Sequence, residues 1–108
     1  MAKEGIKWDG GKVDLSLIPT EPLLELGKAY QVGLKYGRDN WRQGMEWSRV
    51  FAAIQRHLWA WWNGETYDPK DGHHHLAAAA WGCFTLMWYQ LKKVGKDNRW
   101  LKGNTSKL

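Results

Sequence analysis

Cysteine is nearly missing from this sequence: Cys83 stands alone among 108 residues. No disulfide can form within the chain, so a disulfide scaffold is excluded and a reducing compartment is indicated. No apolar run approaches the roughly 20 residues that span a bilayer. Residues 1–5 lack the apolar stretch of a signal peptide. The expectation is a cytoplasmic protein with no membrane partner. There is no internal repeat and no low-complexity segment. A phosphate-binding glycine loop, a dinucleotide glycine fingerprint and a serine–histidine nucleophile pattern are also lacking, which excludes the commonest nucleotide-binding and hydrolase designs.

What is abundant is tryptophan, with nine in the chain. One small domain cannot place all of them in its core, so some are expected at a ligand pocket or a subunit interface. A composition 44% hydrophobic and 14% aromatic excludes a disordered chain. The net charge of +5 favours anionic partners. Lys92, Lys93, Lys96, Arg99, Lys102 and Lys107 crowd the C-terminal end, while Glu65, Asp68 and Asp71 gather in mid-chain. Basic flanks around an acidic centre suit a cation-plus-phosphate site better than a plain DNA-binding surface. For the C-terminal residues alone, a solvated end is the simpler reading.

Periodicity predicts an all-α fold, a small bundle of about three helices with an extended N-terminal arm. Residues 1–19 form the arm or a small hairpin, with Val13, Leu15 and Leu17 alternating. Thr20 can cap a first helix that carries Leu23, Leu26, Tyr30 and Leu34 on one face and ends at Gly37. Residues 37–44 read as a glycine-bounded loop. A second helix places Trp47, Val50, Phe51, Ile54, Leu58 and Trp61 on one face and stops at Gly64. Asp68 and Pro69 mark a turn. A third helix runs from about Asp71 to Val94, with Leu76, Ala80, Cys83, Met87, Leu91 and Val94 as its apolar face and Gly95 as its end. Residues 20–95 thus make the helical domain, and residues 96–108 a basic tail, mobile or docked as a short turn. Three helices leave apolar surface around Trp59, Trp62, Trp81 and Trp88, so a homodimer or homotetramer is expected.

Chemistry concentrates after the second helix. Glu65, Asp68 and Asp71 recur every three residues, and clustered carboxylates repel unless a cation sits among them. Oxygen ligands of this kind suit Mg²⁺ or Mn²⁺. Each acid also has an ordinary reading, since acids are common in turns and Asp71 could cap a helix. His73, His74 and His75 cannot all face one ion, because successive helical residues point about 100° apart. His75 shares a face with Asp71. Lys35, Arg38, Arg42, Arg49 and Arg56 bracket a loop containing Asn40 and Trp41. Arginines near a cation can clamp phosphate oxygens, and Trp41 and Tyr36 can stack on a base. A solvated basic face with two core aromatics is the alternative.

Taken in order, these pieces resemble the N-terminal domain of phage-encoded dATP/dGTP diphosphohydrolases. The pattern runs through Gly11, Lys12, Asp14, Leu15, Leu17, Ile18 and Pro19. It continues with Lys35, Tyr36, Gly37, Asn40 and Trp41, then Arg56, His57, Leu58 and Ala60. Gly64, Glu65, Asp68 and Pro69 follow, and Gly72, His75, Leu76 and Ala77 complete it. The resemblance covers roughly residues 11–91. It implies a fold related to the all-α nucleoside triphosphate pyrophosphohydrolases, and Mg²⁺-dependent hydrolysis of purine dNTPs to dNMP and pyrophosphate. Glu65, Asp68 and His75 are then the catalytic set, with Glu65, Asp68 and Asp71 as cation ligands. Lys12, Lys35, Tyr36, Asn40, Trp41, Arg56, His57 and Lys70 contact the nucleotide. The setting implied is the cytoplasm of an infected bacterium.

Three positions depart from the pattern. Lys70 replaces an acid, Ala78 a histidine, and Gly82 lies where a polar residue is usual. These changes thin the catalytic cluster and motivate a second reading. In it, the chain sequesters a nucleotide, including a cyclic or signalling nucleotide of host defence, without cleaving it. A nucleic-acid-binding or structural module is the third reading, resting on charge and tryptophan content.

Overall fold

Pro19 opens the first helix from an extended conformation, and Glu21 occupies the first turn, where the helix dipole favours an acid. The structure, a computed structural model, describes residues 5–8 and 10–101. Its three helices are α1 (Thr20–Val32), α2 (Trp47–Trp62) and α3 (His75–Lys92), and there is no strand among the described residues. Thr20 lies inside α1 instead of capping it; Pro19 is the capping residue. Beyond Val32 the chain tightens into a 3₁₀ turn, Gly33–Tyr36, which Gly37 ends at φ 100°. The glycine-bounded loop is not wholly irregular, since Asn40–Gln43 form another 3₁₀ turn.

The arm differs from the hairpin alternative. Residues 10–19 are exposed and make no sheet pairing; their one regular feature is a 3₁₀ turn, Leu15–Leu17, capped by the Asp14 side chain. At the other end of the chain, residues 96–101 do not trail freely. The Trp47 indole N–H donates to the Val94 carbonyl at 3.0 Å, and the Ser48 amide donates to Asn98 Oδ1 at 2.9 Å. The segment is thereby held against the start of α2. Lys102 and Lys107 lie outside the described residues.

The core sits between α2 and α3. Val50 and Ile54 meet Ala79 and Tyr89, with Trp41, Met45, Leu86 and Trp88 packed around them. Tyr89 is fully buried, and its hydroxyl donates to the Trp41 carbonyl. The inward side of α3 is therefore His75, Ala78, Ala79, Gly82, Thr85 and Tyr89. This corrects the expected face. Leu76, Cys83, Met87 and Leu91 point to solvent, as do Phe51, Leu58 and Trp61 on α2. The reason is distance: small residues let two helices approach closely, so the larger apolar side chains fall on the outer side.

Gly82 sets that approach. A Cβ there would lie 2.4 Å from Ile54 Cγ1. Ile54 is 4% exposed and stiff at χ1, so it cannot move aside without disturbing the core. Gly82→Ala is expected to destabilise the protein by about 1–2 kcal/mol, overpacking outweighing alanine's better helix propensity. Urea unfolding checks this; a more stable variant would show that the contact yields easily.

Candidate functional site

Residues 63–74, between α2 and α3, assemble the ionisable groups. Gly64, at φ 100°, ends α2. Its amide bonds to the Trp61 carbonyl and the Glu65 amide to the Ala60 carbonyl, both at 3.0 Å, a Schellman closure that fixes where Glu65 emerges. The chain then doubles back. The Asp68 amide donates to the His73 carbonyl at 2.9 Å, and the His75 amide to the Thr66 carbonyl at 2.9 Å. Pro69 and Gly72, the latter at φ 76°, supply the turn. Asp68 Oδ1 accepts the Lys70 amide at 2.8 Å. That bond holds the Asp68 carboxyl below the usual range, and the neighbouring histidines act in the same direction. Asp68 is therefore pinned, ionised, opposite His73.

A second line of contacts reaches the same place. His75 Nε2 lies 2.7 Å from Glu65 Oε1, and His75 Nδ1 lies 2.9 Å from His57 Nδ1. A carboxylate only accepts, so the proton between Glu65 and His75 sits on Nε2. In the neutral form of the His75 ring the lone pair is then at Nδ1, and His57 donates to it from its own Nδ1. The remaining nitrogen of His57 is left as a lone pair. Burial pushes the His57 ring below its ordinary value, and His75 and His73 beside it push the same way.

These lines converge. One ligand atom each from His57, Asp68 and His73 lie within 4.8 Å of one another. His73 is 9% exposed, and its Nδ1 is buried with no hydrogen-bond partner. Glu65, Asp68 and Asp71 do not gather into such a group. Glu65 engages His75, and Asp71 faces Lys35 at 3.8 Å.

Beside the cluster opens a cleft of about 810 Å³, a size suited to a nucleotide. Tyr30, Tyr36, Trp41 and Trp81 give it aromatic walls, and Arg49, His57, His73 and Asp71 also line it. Tyr30 stands edge-on to Trp41 and to Trp81, with ring centroids 6.0 and 6.2 Å apart. Ala78 and Gly82 also line it, so two of the positions that depart from the family pattern widen the space instead of filling it.

Of the residues singled out in the sequence, Tyr36, Asn40, Trp41, His57 and Asp71 line the cleft, and Lys35 reaches it through Asp71. Lys12, Arg56 and Lys70 are exposed and do not line it. Arg38 and Arg49, two of the arginines that bracket the loop, line the cleft as well, as does His73 of the histidine run. Tyr30 and Trp81 carry no site role in the sequence, Tyr30 lying on the face of the first helix and Trp81 on apolar surface expected to be uncovered.

Comparison with known proteins identifies the family. The model of the family described as dATP/dGTP diphosphohydrolase, N-terminal, matches residues 2–99. The chain belongs to the dATP/dGTP diphosphohydrolase N-terminal domain family. A dATP/dGTP diphosphohydrolase of Salmonella phage PMBT28 is 37% identical over 98 residues, which is 89% of this chain and 33% of that protein. The chain thus spans about a third of the length of the curated relative it matches. No solved structure matches it. No helix among the described residues is long and apolar enough to cross a membrane.

The diphosphohydrolase family implies Mg²⁺, which prefers near-octahedral oxygen ligation. The cluster offers one carboxylate and two imidazoles. The protein's own donors at this point do not fit Mg²⁺ by itself.

The half-buried His57 makes stability depend on pH. A ring whose pKa falls on folding binds its proton more tightly when unfolded. The stability due to neutral His57 is complete above the unfolded value of about 6.5 and is lost as pH falls through it toward the lower folded value. In the presence of a chelator, melting temperature is expected to drop on acidification. His57→Gln should flatten that slope; an unchanged slope would contradict the assignment.

Proposed function

We propose that the cleft binds a purine deoxynucleoside triphosphate, and that the chain hydrolyses it with Mg²⁺ or Mn²⁺ to the monophosphate and pyrophosphate. The observation that carries this reading is a cleft with aromatic walls that is also lined by His57 and His73, two members of the His57–Asp68–His73 cluster beside it. Trp41 and Tyr36 would stack on the base, with Asn40 beside them. Arg49 and Lys35 would meet phosphate oxygens. A divalent cation arriving with the triphosphate would neutralise its charge. Asp68 is the ionised carboxylate at the site, while Glu65 acts on His57 through His75. Lys12, Arg56 and Lys70 remain, on the resemblance, candidates for further phosphate contact.

A second reading has specific support. Glu65 and Asp71 already have partners, and small residues stand at positions 78 and 82. Such a cleft could hold a nucleotide, a cyclic one included, without cleaving it. Incubation with dNTPs and cyclic dinucleotides, with and without Mg²⁺ or Mn²⁺, followed by mass spectrometry, separates the readings. Metal-dependent pyrophosphate release supports hydrolysis. Intact nucleotide recovered from denatured protein supports sequestration. Neither of these, together with salt-sensitive DNA binding, would overturn both.

The proposed protein is an oligomer. Trp59 and Trp62 are 63% and 72% exposed, and Phe51, Met87 and Leu91 extend the apolar surface. A second copy packing there would cover it. Sedimentation is expected to give a dimer or tetramer, and a clean monomer at high concentration would contradict this.

A further inference from the structure

We infer that His57, Asp68 and His73 bind a first-row divalent cation of the zinc, cobalt and nickel class, and that they do so without nucleotide. In hydrolysis this ion would act beside the cation that arrives with the triphosphate, a role that rests on the nucleotide reading; the binding itself does not need a nucleotide.

The donor set decides the class of ion. Two imidazoles and one carboxylate suit borderline cations and disfavour Mg²⁺, which dehydrates reluctantly and wants oxygen. Three ligand atoms within 4.8 Å of one another need shifts of only roughly an ångström to surround one ion at Zn–N distances of about 2.0–2.1 Å.

Two independent features prepare the site. His73 Nδ1 is buried and unpartnered, a condition rare among buried polar atoms, and an ion held at that nitrogen would relieve it. His57 is held by His75, and His75 by Glu65, at 2.9 and 2.7 Å. With the His75 ring neutral, that relay puts the His57 proton on Nδ1 and leaves Nε2 to ligate, an outer contact of the kind metal-binding histidines make. Glu65 is thus a positioning residue here. Three protein ligands leave further positions open, and His57 and His73 both line the cleft, so those positions are available to water or a phosphate oxygen.

The test uses the full chain with Co²⁺ as the probe and no nucleotide. One Co²⁺ per chain is expected to bind with visible absorption, to be displaced by Zn²⁺, and to resist excess Mg²⁺. His73→Asn should weaken binding by about tenfold or more. His74→Asn should leave it unchanged, because the His74 ring accepts the Leu76 amide at the start of α3 and asparagine caps equally well. Retained affinity in His73→Asn would overturn the inference. So would its loss in His74→Asn, which would mean that the histidine run merely chelates at the surface. Should His73→Asn fail to fold, ring-nitrogen NMR of the wild-type protein decides. Zn²⁺ must move the His57 and His73 signals and spare His74; the reverse pattern overturns the site. Co²⁺ binding without nucleotide turnover would sink only the hydrolytic reading. Turnover without Co²⁺ binding at these residues would sink only this one.

Discussion

Asparagine in place of Asp68 is expected to leave the fold intact and to lower purine dNTP hydrolysis by about a hundredfold, roughly 2.7 kcal/mol of barrier. The fold survives because the asparagine side-chain oxygen can still accept the Lys70 amide, the bond that shapes the turn. What disappears is the negative charge. Asp68 is the one carboxylate of the three-ligand cluster, and its backbone bond to Lys70 keeps it ionised. Steady-state kinetics with dATP and dGTP, alongside thermal melts, measure both halves. Glu65→Gln should cost less, about tenfold, because glutamine can still accept from His75 Nε2 and its influence reaches His57 only through that ring. An Asp68→Asn enzyme of normal activity, or a Glu65→Gln loss larger than that of Asp68→Asn, would reverse the assignment of the two acids.

Truncating Tyr89 should have the largest effect on stability. Tyr89 is the largest fully buried side chain among the described residues, at 0% exposure. Removing a buried aromatic costs about 3–5 kcal/mol. That is a large share of the roughly 5–15 kcal/mol that holds such a domain together. Tyr89→Ala should therefore unfold at a much lower denaturant concentration, or fail to fold at 37 °C. Tyr89→Phe isolates the hydroxyl. It removes the donor to the Trp41 carbonyl and should cost about 1–3 kcal/mol. Trp41 lines the cleft, so the same variant should bind nucleotide more weakly at temperatures where it remains folded. Unaltered stability and affinity in Tyr89→Phe would mean that the bond neither supports the core nor positions the cleft wall.

The helices could be read from the sequence because glycines and prolines mark their limits. Pro19 and Gly64 stand close to the ends of α1 and α2, and Gly37 closes the 3₁₀ turn that follows α1, while Pro69 marks the turn between α2 and α3. The sequence pattern carries the third helix past both of its observed ends. Asp71 belongs to the turn and His74 is the cap, since the pairing of Tyr67 with His74 keeps the chain extended that far. At the other end Lys93 adopts the left-handed conformation, so α3 stops at Lys92, before Gly95. Its inward face was unreadable for a different reason. Periodicity reveals an apolar stripe but not what covers it, and here the stripe of Cys83, Met87 and Leu91 faces outward. The side facing α2 is built from alanine, glycine and threonine, residues that carry little hydrophobic signal.

The site was legible in part. Spacing drew attention to the stretch from Glu65 to His75, and the family resemblance added His57. The partners could not be foreseen. A three-residue repeat suggested three carboxylates on one ion, but the reversal at Pro69 and Gly72 sets Asp68 against His73 and leaves Asp71 to Lys35. His73 became a site residue through that backbone pairing, which no periodic pattern records.

A crystal structure of the chain with a non-hydrolysable dATP or dGTP analogue tests the central claim most directly. The base should lie against Trp41 and Tyr36, with the phosphates beside Arg49, Lys35 and the His57–Asp68–His73 cluster. A nucleotide bound away from this cleft, or a cleft left empty at saturating analogue, would contradict the account.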